Sequence, residues 1–193
     1  MADPAYIVDG VLTDGEAWVG IATTTLGADT AEVTFTSTDD GQVGDWSQYM
    51  DLVVISYVRS AYSGEGDTLK FQFNDDTGAN YPNQYLRGSG ASASAGTYTY
   101  TGYAPQGNVT ADNNLANAFS SVVSHLFDIN SGKYKSNIAM AASDSASTYG
   151  YVYMDATTWL SQAPITKIDI YTGGDLKDES QFSLFGILPR MVA

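Results

Sequence analysis

His125 is the only histidine in the chain, so any serine–histidine–acid chemistry has to run through it. A triad needs that ring within hydrogen-bond reach of a serine hydroxyl and of an orienting carboxylate. His125 stands in the strand-like stretch SSVVSHLFDI, and no G-x-S-x-G elbow occurs anywhere. A glycosidase would need two carboxyl groups, one of them raised by an apolar pocket. Glu16, Glu32, Glu65 and Glu179 all sit in or beside turn-like stretches, and the numerous aspartates read as solvated loop acids. No catalytic residue is assigned, and the chain reads as a protein that is not an enzyme.

Two acidic loops offer oxygen ligands close together. One carries Asp39, Asp40 and Asp45, the other Asp75 and Asp76. Neither has the twelve-residue spacing of an EF-hand, and Asx turns use the same residue types without a metal. The five aspartates are weak candidates for calcium; no metal and no cofactor is expected. Fourteen tyrosines and three tryptophans supply a further chemistry, the stacking of aromatic faces on sugar rings. Trp46 and Trp159 are the candidates for glycan binding, against cross-strand aromatic pairing as the plainer use of such residues.

These residues are carried on short segments of period two. AEVTFTS, DLVVISYVRS, TLKFQFN, TYTYTGY, YGYVYMD, ITKIDIYT and QFSLFGI alternate, or are β-branched and aromatic, over strand-like lengths. Gly, Asn, Asp and Ser clusters separate them, and the small-residue run RGSGASASAG (87–96) reads as a flexible surface loop. NSGK (130–133) reads as a hairpin loop. Within 111–126 the spacing is ambiguous. It predicts a short helical turn near 112–118 and then a strand from about 121 to 129. Eight to ten short strands without a long helix predict an all-β fold: one antiparallel β-sandwich, with at most one short helix. Residues 1–20 are expected to form an N-terminal arm or first strand, and residues 21–193 the sandwich.

The formal charge is −14, from 22 acidic and 8 basic residues. No basic stripe exists to displace counterions from a phosphate backbone, so no nucleic-acid partner is expected; an anionic membrane surface is disfavoured for the same reason. No apolar run approaches a membrane span. The absence of cysteine excludes disulfides and thiolate metal sites. The first residues lack the basic and apolar regions of a signal peptide, which predicts folding in a cytoplasm without an export leader. Charged residues make up only 16% of the chain, against about 25% in typical globular proteins.

The segment QFSLFGI (181–187) is apolar on both sides, with Phe182 and Leu184 facing one way and Phe185 and Ile187 the other. A strand of this kind at a sheet edge would template aggregation. It is therefore expected in mid-sheet, with one face in the core and the other under a loop or against another subunit. Gly186 leaves room for a neighbouring backbone or ring, and Pro189 ends the ladder.

Four blocks, TTTLGADTAEVTFTS (23–37), YMDLVVISYVRS (49–60), LKFQFNDDTGANY (69–81) and ITKIDIYTGGDLKDESQFSLFGI (165–187), together resemble a family of tailed-bacteriophage virion structural proteins. The order of the blocks is that of the family. Two positions depart from its pattern: Asp75 stands where the middle block has Gly, and Glu179-Ser180 replaces the Gly-Ser before the last strand. The resemblance implies a jelly-roll-like sandwich built into the particle. Some members resemble capsid decoration (cement) proteins and others tail or fibre components; the role expected here is a capsid decoration protein on the outer capsid surface, assembled in the host cytoplasm, with the major capsid protein and copies of itself for partners, as a homotrimer suited to the three-fold positions of a capsid. The alternative is a tail or head-fibre module binding host-surface glycan.

Overall fold

A computed structural model describes residues 7–8, 11–12, 17–143 and 150–188. Two short strands, β1 (Ile7–Val8) and β2 (Val11–Leu12), pair only with each other. The remaining strands are β3 (Trp18–Thr25), β4 (Thr30–Thr36), β5 (Asp51–Val58), β6 (Gly66–Phe73), β7 (Tyr81–Ser89), β8 (Ser92–Thr101), β9 (Ala104–Thr110), β10 (Ser120–Phe127), β11 (Lys135–Ser143), β12 (Tyr151–Trp159), β13 (Lys167–Leu176) and β14 (Gln181–Ile187). A single 3-10 turn, Trp46–Gln48, is the helical element among the described residues.

Two antiparallel sheets pack as a sandwich. One runs β3-β14-β5-β10-β11-β12-β7-β8, the other β4-β13-β6-β9. Set aside the hairpins β7–β8 and β11–β12, and the remaining eight strands pass between the sheets in the order of a jelly roll, crossing at every step except β6 to β9, which pair in one sheet. Strands β3, β14, β5 and β10 make one layer, and β4, β13, β6 and β9 the other. The two hairpins extend the first layer past β10, joined to each other through β12 and β7. Strand β9 of the small sheet packs across this extension. Gly107 of β9, at φ +93°, lies so close that a Cβ would meet that of Ala141 at 2.4 Å.

The alternation sets which side chains meet between the layers. Leu52, Val54 and Val58 of β5, Val122 and Leu126 of β10, Phe71 and Phe73 of β6, Ile168 and Ile170 of β13 and Phe182 and Leu184 of β14 are buried in one core. Burying a side chain of this size contributes about 1.5–3 kcal/mol.

Several expectations require correction. Residues 87–96 are not a flexible loop: Arg87 to Ser89 pair with Ser94 to Ser92 around a tight turn in which Gly90 has φ +54°. Small residues carry no apolar contrast, so a ladder made of them shows no period. The stretch 112–118 forms two hydrogen-bonded turns rather than a helix. They are held by Arg59, whose guanidinium donates to the carbonyls of Leu115 at 2.6 Å, Ala118 at 3.1 Å and Asn114 at 3.2 Å. A boundary at 20/21 would cut β3, because Trp18 and Val19 continue the ladder opposite Ile187 and Gly186. Pro189 and most of residues 1–16 lie outside the described residues.

Candidate interaction surface

β14 lies between β3 and β5, second from the sheet edge. Phe182 and Leu184 point into the core; Phe185 and Ile187 lie half-buried on the outer face. There the half-exposed indole of Trp18 packs on Phe185, with ring centroids 6.1 Å apart. Beyond them on β5, Val53 is buried on the same outer face. His125 follows on β10, its Nε2 2.9 Å from Asp51 Oδ2 and its ring stacked on Phe127 at 3.9 Å.

The outer face continues across the extension as a row of directly paired residues: Ile55, Val123, Met140, Met154, Leu86 and Ala95. All six are exposed. A shallow groove of about 510 Å³ lies at the far end of the row, between Val152 and Met154 on one side and Ala93 and Ala95 on the other.

The core side of the same hairpins buries a polar group beside Tyr81, Ala141, Tyr153 and Trp159 of the core. Asn83, Asn137, Asp155 and Thr157 are buried, and Gln106 of β9 reaches Asn137 Oδ1 at 2.8 Å. Asn83 Nδ2 donates to Asp155 Oδ1 at 3.1 Å and to Thr157 Oγ1 at 2.9 Å. Asp155 Oδ2, Asn83 Oδ1 and Gln106 Oε1 are buried acceptors with no partner among the described residues. Burial pushes the Asp155 carboxyl up to about 6, and the bond from Asn83 only partly opposes this.

The residues singled out by chemistry take other roles. Trp46 and Trp159 are 1% and 2% exposed, so neither ring has a face open to a sugar, and the glycan-binding assignment to them is corrected. Trp159 packs against Phe73 and Tyr81, and its indole donates to Asp76 Oδ2 at 2.7 Å. Asp76 also accepts from Gly78 N and Asn80 Nδ2. Burial alone would raise its pKa, but these donors hold the carboxyl below its usual value. Asp45 accepts from the Gly41 and Ser47 amides, Asp40 from Thr38 Oγ1 and Gln42 N, and Asp75 pairs with Lys167 at 2.5 Å. Asp39 is exposed, with φ +51°. These acids serve as turn acceptors and ion-pair partners, and among the described residues no three metal-ligating side chains come together. Glu32, Glu65 and Glu179 are exposed; Glu16 lies outside the described residues.

Reading the sequence strand by strand missed the apolar row. Each strand contributes only one of its members. The local signal was there: Ile138-x-Met140 and Val152-x-Met154 show an apolar period of two, but not which side faces water.

No protein-family model matches the chain, and no curated protein matches it. Among solved structures it is similar to arcelin-5, a lectin-like defense protein from Phaseolus vulgaris. The identity is 8% and the TM-score 0.19, over 89% of this chain and 94% of that one. A likeness that slight carries no argument.

Proposed function

We propose that the chain is a non-enzymatic structural protein of a tailed-phage virion, and that it decorates the capsid by bridging major capsid subunits. The observation that carries this reading is where the four resemblance blocks fall. They cover β4, β5, β13 and β14, most of β6 and the last residues of β3, and so touch six of the eight jelly-roll strands. Almost all of the two added hairpins lies outside them.

The two departures from the family pattern support the same reading. Asp75 and Glu179, which stand where the family has glycine, have φ +58° and +65°. That is the left-handed region in which glycine is favoured. The backbone that the pattern demands is retained although the residue is not. In this reading the loops at the ends of the sandwich grip the capsid. The net charge of −14 gives the shell a negative outer surface that keeps particles apart. The fibre-module alternative loses its two stacking tryptophans to the core.

The test is mass spectrometry of heads and tails separated from the phage that encodes the chain. The protein is expected in the head fraction at a copy number comparable to that of the capsid lattice sites. Its confinement to tails, or its absence from the particle, would overturn the proposal.

A further inference from the structure

We infer that the outer face of the β10-β11-β12-β7-β8 extension is the surface on which a second copy of this chain packs, sheet against sheet. This goes beyond the virion reading and does not depend on it.

The outer face of the extension is as apolar as its core side, where polar Asn83, Asn137, Asp155 and Thr157 are buried beside Val122, Leu126, Ala141 and Tyr153. In an antiparallel sheet with one wet face, apolar residues belong inside and polar residues outside. Here Ile138, Met140, Val152, Met154 and Leu86 are outside, between 41% and 65% exposed. Outward register positions on these five strands carry no Asp, Glu, Lys or Arg; the one charged residue at the edge of the groove is Arg87, bonded to Ser94 and to the Tyr153 hydroxyl. His125 is the one titratable group at those outward positions, and it is paired with Asp51.

Size and charge point to a copy as the occupant. Strands about 4.8 Å apart and side-chain rows about 7 Å apart give the apolar face roughly 500 Å². That is too large to be scattered surface hydrophobics. It matches the apolar centre of an interface burying about 800 Å² per partner. A basic partner would find nothing here to neutralise. A second chain of charge −14 is repelled everywhere else and meets no like charge at this face. The row is self-complementary: Met140 and Met154 lie at its middle, paired directly across β11 and β12. An isologous pair brings that middle onto itself under a two-fold axis, with the sheets about 10 Å apart. The smallest assembly is then a dimer, in place of the trimer suggested by the three-fold positions of a capsid.

The test is the mass of the purified full chain in solution by light scattering, from low to high micromolar concentration. A shift from one chain to two is expected. Added salt should strengthen it, because screening weakens the repulsion between acidic copies and leaves apolar contacts in place. Met140→Glu together with Met154→Glu should return the one-chain mass, while Val43→Glu, at an exposed site off this face, should not. A second readout covers the case in which the double variant fails to fold. The chain has no cysteine, so Met154→Cys is expected to give a covalent dimer on mild oxidation, and Val43→Cys is not. One-chain mass at every concentration, or association untouched by both charges, would overturn the inference. So would protection of this face only when capsids are added. Each of these results leaves the head-fraction experiment standing on its own.

Discussion

The ring of Tyr49 lies directly on Gly186: a Cβ built there would meet Tyr49 Cδ1 at 2.4 Å. The glycine opens a slot in the core face of β14, and the aromatic ring closes it. The Tyr49 hydroxyl donates to the Val43 carbonyl at 2.8 Å. One contact thus ties the loop before β5 to β14 of the large sheet.

Gly186→Ala should therefore cost about 1–3 kcal/mol, the usual range for overpacking a filled core. Urea unfolding is expected to show a lower midpoint at unchanged slope.

Asp155→Asn tests the buried carboxyl. Its folded pKa, about 6, lies above the ordinary aspartate value of 3.8, so the folded state holds the proton more tightly. The stability this contributes is fully present below about pH 4 and is lost as pH rises through 6. The full shift corresponds to about 3 kcal/mol. An asparagine still accepts from Asn83 and carries no charge. The variant should gain up to about 3 kcal/mol over wild type near pH 7.5 and little near pH 3.5, read as the difference between their urea midpoints.

Glu179→Gly relieves a left-handed backbone position at an exposed site and should stabilise the fold by about 0.5–1 kcal/mol, after the greater chain entropy of unfolded glycine is counted. Asp75→Gly relieves the same conformation but breaks the ion pair with Lys167. That pair, largely exposed on the Asp75 side, is worth about 0–1 kcal/mol, so the gain should be smaller. Thermal melts of the two variants side by side give the order.

Trp159→Ala and Trp46→Ala should act on stability, not on ligand binding. Each is expected to cost about 3–5 kcal/mol as a large buried aromatic removed from a core. For Trp159 the change also strips the indole donor from Asp76. Denaturant curves measure the loss. A folded variant with selectively lost glycan binding would contradict the burial of these rings.

Strand positions were legible wherever side-chain contrast was high. Val33 and Phe35 in β4, Leu69, Phe71 and Phe73 in β6, and Phe182 and Leu184 in β14 all alternate and are all buried. The period-two rule is local and needs no knowledge of neighbours. The double apolarity of β14 likewise implied a place between other strands, and β3 and β5 flank it. Contrast failed in β7, β9 and the first half of β8, whose second half was legible in TYTYTGY. Ser, Ala and Gly of the 87–96 hairpin differ too little in polarity to show a period, and β9 buries Pro105, Gln106 and Gly107 in succession.

By itself, the sequence determined that the chain is built of antiparallel strands with a sandwich core, because hydrophobic alternation and turn residues act over a few positions. The tertiary structure alone decided that two hairpins far apart in the chain, β7–β8 and β11–β12, join through β7 and β12 and that Trp46 and Trp159 turn inward. It alone decided that single apolar residues from six strands line up in one exposed row. Each of these depends on pairing between segments distant in the chain, and pairing register, not local pattern, sets which faces add up to a surface.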